Sequence, residues 1–244
     1  MCSSDLDHLV TNYGVKNIKF VDEMFVLNKR HVLGISDLLI ERGYDLNIWA
    51  YARVDTVQDQ FLEKLRKAGF RWLCLGIESA SADVRDGAAK KYGQDDIADT
   101  VHRIQDAGIH VLGNYIFGLP DDTHERMQET LDMALALNCE FGNFYSAMAY
   151  PGSPLYRMAV ESKLELPEKW HHFSQHGYES KPLRTKHLSA ADILAFRDHA
   201  WQTYFGSDSY LKMVQRKFGP DVVDHVKRMA QMPLKRKLLE KIAA

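Results

Sequence analysis

The chain has 244 residues, 45% of them hydrophobic and 26% charged, with a formal net charge of −2 at pH 7. At about 150 residues per domain that length suits one domain, or one with an appendage, and the composition is that of an ordinary globular chain. The near-neutral balance gives no footprint for nucleic acid or an anionic membrane. With no apolar run of transmembrane length and no basic-then-apolar leader, the expected location is the cytoplasm.

The first residues carry Leu6, Leu9 and Val10 at helical spacing, with Ser4 placed to cap and Gly14 to stop a helix. Residues 17–21 read as a short strand ending in Asp22 and Glu23. A second helix follows, capped by Asn28, apolar at Val32, Ile35, Leu38 and Leu39, and closed by Gly43. The unit then repeats: a strand over residues 47–52 ends at Arg53 and Asp55, Thr56 is placed to cap a helix, and Phe61, Leu62 and Leu65 give that helix its buried stripe up to Gly69.

The central strand runs from Phe70 into Glu78 and Ser79. Leu73, Leu75 and Ile77 form one face by the period of two, while Trp72, Cys74, Gly76 and Glu78 form the other. Such an apolar strand is expected to be buried on both faces of a parallel sheet. A helix carrying Ile97, Val101 and Ile104 comes next, then a strand over residues 111–117 ending in Gly118-Leu119-Pro120. A helix over 123–137 and a fifth strand over 143–149 complete the series, and Tyr150-Pro151-Gly152-Ser153-Pro154 breaks it.

Strands alternating with helices in this way predict an α/β fold with an all-parallel sheet of right-handed βαβ units. Periodicity leaves an open doubly wound sheet and a partial barrel both available. Because the chain opens on a helix, one strand is expected to be missing at the front. Residues 155–186 read as an irregular lid, and helices near 189–204, 209–218, 220–229 and 233–242 form a tail, so the expected division is a barrel over 1–156 and an appendage over 157–244.

The strand ends collect Asp22, Glu23, Arg53, Glu78, Ser79, Gly118, Tyr150 and Pro151 on what should be one rim. Carboxylates can hold an ammonium group or a ribose diol, an arginine grips a carboxylate in a bidentate fork, and a glycine admits a flat base. The set suits a zwitterionic nucleoside. His171, His172 and His176, with His187 nearby, read as lid or surface histidines, and no metal-ligating or catalytic residue is assigned. Cys2, Cys74 and Cys139 lie far apart with no C-x-x-C pair, which supports neither a disulfide framework nor a zinc knuckle.

Four segments in order, Phe20-Val21-Asp22-Glu23-Met24-Phe25, Gly76-Ile77-Glu78-Ser79-Ala80, Ile116-Phe117-Gly118-Leu119-Pro120 and Tyr150-Pro151-Gly152-Ser153-Pro154-Leu155-Tyr156, resemble the radical S-adenosylmethionine enzymes. The nearest resemblance is to the subgroup with an N-terminal cobalamin-binding domain, related to the anaerobic magnesium-protoporphyrin ester cyclase. The resemblance implies a partial (β/α) TIM-type barrel of about five parallel strands here, its first strand missing, plus a C-terminal helical extension. It implies S-adenosylmethionine as ligand: Asp22 or Glu23 at its amino group, Arg53 at its carboxylate, Glu78 and Ser79 near the ribose and methionyl end, Asn114, Ile116 and Gly118 in the adenine motif, and Tyr150 with Pro151 beside the adenine.

Such enzymes bind a [4Fe-4S] cluster through C-x-x-x-C-x-x-C, a run absent from these 244 residues. By resemblance, then, the chain is the catalytic barrel of a cobalamin-associated enzyme of methyl transfer, cyclisation or rearrangement acting on a small molecule. Alone it should be inactive, with cluster and cobalamin expected only in a longer protein carrying the cobalamin domain and cluster loop. A natural protein that keeps the scaffold without the chemistry is the competing explanation. Other readings are a nucleotide-binding scaffold or regulator, and an unrelated aldolase-like barrel, which would lack a strand-end lysine for a Schiff base.

Overall fold

A computed structural model describes residues 3–22, 24–82, 84 and 93–243. The helices and strands follow the predicted alternation. They are α1 (Ser3–Tyr13), β1 (Asn17–Lys19), α2 (Lys29–Arg42), β2 (Asn47–Ala52), α3 (Asp59–Lys67), β3 (Phe70–Glu78), α4 (Gln94–Asp106), β4 (His110–Phe117), α5 (His124–Leu137), β5 (Phe141–Ser146), α6 (Pro154–Glu161), α7 (Ala190–Gly206), α8 (Asp208–Phe218), α9 (Pro220–Ala230) and α10 (Lys237–Ala243). The strands form a five-stranded sheet in the order β1-β2-β3-β4-β5. β1, β2 and β3 pair parallel, Asn17 opposite Asn47 and Ala52 opposite Leu75. Spatial order equal to chain order leaves no point where the winding reverses, so this is a partial (β/α) barrel and not a doubly wound sheet. No described helix is long and apolar enough to cross a membrane.

By contact density the chain divides into one unit of Met1–Ile77 with Tyr92–Gly113 and another of Glu78–Lys91 with Asn114–Ala244.

In the first unit local chemistry sets the helix ends. The Asn28 side chain accepts the His31 N–H at 3.1 Å, and Gly43 closes α2 in the left-handed conformation. Thr56 does not cap α3 as expected. Its hydroxyl folds back onto Arg53, accepting the N–H at 3.2 Å and donating to the carbonyl at 2.9 Å, and α3 begins beyond this turn. Ile48, Ala50, Leu73 and Leu75 are buried with Leu62, Leu65, Ile97, Val101 and Ile104 of the helices. Trp49, Tyr51, Trp72 and Gly76, on the alternate positions, are only half-buried while Cys74 among them is buried, so that face of β3 is covered in part and not throughout as the sequence suggests. Lys19 lies 4.0 Å over the Trp49 ring there.

In the second unit Phe117 stacks on Phe144 at 5.9 Å, and Phe144 meets the edge of Tyr204 from α7 at 5.3 Å. Arg197 of α7 is buried and donates to the Phe144 carbonyl at 2.7 Å. β5 begins and ends earlier than residues 143–149. Gln175 explains the end: its carboxamide pairs with both the N–H and the C=O of Ser146, each at 2.9 Å, in place of a strand neighbour. The segment read as an irregular lid contains α6, capped by Ser153 and begun by Pro154, whose fixed φ suits a first turn.

Glu140, just before β5, has a side chain with 0% exposure and is met by Lys217 of α8. Removing one partner of a buried pair leaves a desolvated charge, whereas removing both does not. Lys217→Met should therefore cost about 3 kcal/mol in denaturant unfolding, and the Glu140→Gln, Lys217→Met double variant should cost markedly less.

Candidate functional site

Of the predicted rim residues, Asp22 and Arg53 belong to the first unit. Asp22 is exposed just past β1. Arg53 leaves β2 with its guanidinium in a fork on Asp55, Nε to Oδ1 at 3.0 Å and Nη2 to Oδ2 at 2.8 Å. The arginine thus has the bidentate geometry expected, but it grips a carboxylate of its own chain; an incoming carboxylate has to replace Asp55. Glu23 and Cys2 lie outside the described residues.

Glu78, Ser79, Asn114, Ile116, Gly118, Tyr150 and Pro151 fall in the second unit. Glu78 closes β3 with φ of +69°, a left-handed conformation in a residue with a Cβ. That strain, of order 1 kcal/mol or more, concentrates at functional sites. The next residue turns inward: Ser79 has 0% exposure and lies 3.2 Å from the Thr130 hydroxyl of α5, which also accepts the Ala80 N–H at 3.0 Å. Ser79 therefore staples the turn after β3 to α5, and its hydroxyl has no exposed surface for a ligand.

On β4, Asn114 and Ile116 alternate with the buried Tyr115 and Phe117 and stand on the half-buried face. Asn114 accepts from Asn143 of β5 at 3.0 Å, a cross-strand amide pair on that face. Asn143 is a polar position not selected from the sequence. Its signal was the period of two counted from Phe141, which the later expected start of the strand obscured.

Gly118 follows β4 with φ of +82°, and a Cβ there would come within 2.6 Å of Ile193. Its open side is filled by α7, so a base has to approach another part of this turn. The turn is built on Asp122, 1% exposed, whose Oδ2 accepts the N–H groups of Gly118 at 2.9 Å and Leu119 at 3.0 Å, while Oδ1 is buried without a partner. Burial raises this carboxyl to about 6 against the two backbone hydrogen bonds. Asp122 thereby organises the β4–α5 turn. Tyr150 and Pro151 open a turn in which Gly152 has φ of +88° and Ser153 N–H bonds Tyr150 C=O at 3.0 Å. Tyr150 is 48% exposed and stacks on Phe173 at 5.6 Å.

His171 and His172 come together with Glu179, while His176 sits 3.4 Å from Arg197, away from that group. Cys74 and Cys139 are both buried, and burial pushes the Cys139 thiol up to about 12.

Residues 5–134, more than half of the chain, match the sequence pattern of the Radical SAM superfamily. The chain belongs to the radical SAM superfamily. An uncharacterized methyltransferase of Pyrococcus horikoshii is 28% identical over 201 residues, 82% of this chain and 43% of that protein. The anaerobic magnesium-protoporphyrin IX monomethyl ester cyclase of Cereibacter sphaeroides is 23% identical over 194 residues, 78% of this chain and 31% of that protein. Among solved structures, the radical S-adenosylmethionine methyltransferase TsrM of Kitasatospora setae, with cobalamin and a [4Fe-4S] cluster bound, gives a TM-score of 0.59 at 20% identity over 65% of this chain and 33% of that one. The cobalamin-dependent radical enzyme OxsB gives 0.61 at 12% identity over 93% of this chain and 39% of that one. At such identities the likeness is one of fold. The chain spans less than half the length of these relatives. Family membership removes the unrelated aldolase-like reading.

This radical SAM chain does not carry the donors of an iron–sulfur cluster. It has three cysteines in all, and the two described ones are buried, one of them with its thiol held protonated. Cluster ligands are exposed-loop thiolates that approach one metal centre together.

The Asp122 carboxyl gives the radical SAM barrel a pH signature. A carboxyl whose folded pKa is raised binds its proton more tightly in the folded state, so its stabilising share is complete below the ordinary value near 3.8 and is lost as pH climbs through about 6. Asp122→Asn keeps one oxygen for the two N–H groups and removes the titration. Between pH 4 and 7 the parent should lose roughly 2 kcal/mol relative to this variant in urea unfolding, and parallel pH profiles would refute the assignment.

Proposed function

We propose that this chain is the S-adenosylmethionine-binding barrel of a cobalamin-associated radical SAM enzyme that carries out methyl transfer, cyclisation or rearrangement on a small molecule. The observation that carries the reading is Glu78: a carboxylate held in a strained conformation at the C-terminal end of the central barrel strand, where parallel barrels hold their ligands.

The donor chemistry fits the nucleoside. Asp22 offers an exposed carboxylate for an ammonium group, with Glu23 adjacent in sequence, and Arg53 has a guanidinium fork already in carboxylate-binding geometry. Glu78 suits a ribose diol or the methionyl end. Asn114 presents an amide on the half-buried face for a base edge, with Ile116 two residues on supplying apolar contact beside it. Tyr150 and Pro151 add an exposed ring and a rigid turn. Ser79 serves by fixing the turn that presents Glu78, and Gly118 by letting α7 close on the adenine-motif turn. These residues bind, orient and exclude water.

The residues present do not fit the [4Fe-4S] cluster. In this proposal cluster and cobalamin belong to a longer protein that supplies the cysteine loop and a cobalamin domain, consistent with the fraction of its relatives that the chain spans.

Calorimetric titration with S-adenosylmethionine tests the proposal. Without cluster ligation the affinity should be weak, with a Kd of ~1 mM, roughly −4 kcal/mol. Glu78→Gly relieves the backbone strain, so the variant should be as stable as the parent or more so, yet bind the nucleoside at least tenfold more weakly. Equal affinity in the two proteins, or no binding by the parent, would overturn the reading.

A further inference from the structure

We propose that His171, His172 and Glu179 form a binding site for a divalent transition-metal ion of zinc-like preference. This site is separate from the radical chemistry and does not depend on the S-adenosylmethionine reading.

The cluster arises from how the segment after α6 folds on itself. His171 and His172 lie in a single 3-10 turn, Trp170–Phe173. Three short backbone turns return the chain, and the Lys181 N–H then bonds the His172 carbonyl at 2.9 Å, laying the two arms side by side. Residues eight apart in sequence thereby meet. One carboxylate oxygen, Glu179 Oε2, lies 2.8 Å from His171 Nε2 and 4.0 Å from His172 Nε2. One donor atom from each residue falls within 4.8 Å of the other two. Ligands about 2.0–2.1 Å from a tetrahedral zinc stand roughly 3.3 Å apart, so the observed separations of 2.8 and 4.0 Å bracket that spacing.

One further feature suits an ion. The second carboxylate oxygen, Glu179 Oε1, accepts from Lys237 of α10, which leaves Oε2 for monodentate ligation and orients it as an outer-shell partner would. Two imidazoles and one carboxylate favour zinc, iron(II), cobalt(II) or nickel(II) over magnesium or calcium, and three protein ligands leave a position for water. The Lys237 N–H bonds the Tyr178 carbonyl at 2.9 Å, so Lys237 ties the turn that carries Glu179 to α10.

The test is titration of the untagged, metal-stripped chain with Zn²⁺, and with Co²⁺ as a spectroscopic probe. One equivalent should bind, Co²⁺ should show the visible absorption of a low-coordinate nitrogen and oxygen site, and a 100-fold excess of Zn²⁺ over its Kd should raise the thermal midpoint by roughly 5 °C or more. The His171→Ala, His172→Ala double variant should lose these effects, while His225→Ala, an exposed histidine on α9, should keep them. Should the double variant fail to fold, Glu179→Gln, which preserves shape, should weaken binding at least tenfold. Absence of stoichiometric binding by the parent, or equal binding by Glu179→Gln, would overturn the proposal.

Discussion

The structure depends on how each strand divides its side chains between two faces. In β4, Val111, Tyr115 and Phe117 are buried while Leu112, Asn114 and Ile116 are half-exposed; in β5, Phe144 is buried while Asn143 and Tyr145 are half-exposed. A slip of one residue would exchange the two sets. That cost fixes the register, and with it which residues stand on the less covered face and which end each strand. Every polar contact considered as part of a ligand site is downstream of this burial.

Several residues at the strand ends spend their polar groups on one another. Ser79 bonds Thr130, Arg53 grips Asp55, and Asp122 gathers the N–H groups of the turn after β4. These contacts satisfy backbone and side-chain groups that a loop would otherwise leave open, and they make the turns rigid. The backbone of Glu78 is held in an unfavourable region, and the turn behind it, anchored by Ser79 and Ala80 on Thr130, opposes relaxation. Strain maintained by a well-bonded neighbour is the arrangement expected where a side chain must be aimed.

The C-terminal part is held by charge as well as by apolar packing. Asp198 receives Arg197 on one side and a two-point contact from Arg236 on the other, with both arginine side chains almost fully buried. Arg236 also donates to the Gly177 carbonyl at 3.0 Å. A backbone carbonyl takes a further donor of each guanidinium, and His176 lies 3.4 Å from a third nitrogen of Arg197, so the two groups sharing one carboxylate have other partners as well. The consequence is that the irregular stretch between α6 and α7 has a defined path, which brings His172 and Glu179 into reach of each other.

Alternation of strand and helix and the helix ends at Asn28 and Gly43 were legible in the sequence, because they follow from local propensity and a period that one chain segment displays by itself. The family was legible too, from short motifs in order, as was the lack of a cluster-binding cysteine run. What local pattern could not give were contacts between distant segments. Gln175 ending β5, Ile193 filling the space over Gly118, Thr130 taking the Ser79 hydroxyl and Glu179 joining the two histidines each need residues brought together by packing. Sequence determined which elements form and what chemistry their ends carry; tertiary structure decided which of those groups are already engaged, since hydrogen bonding and burial depend on neighbours in space.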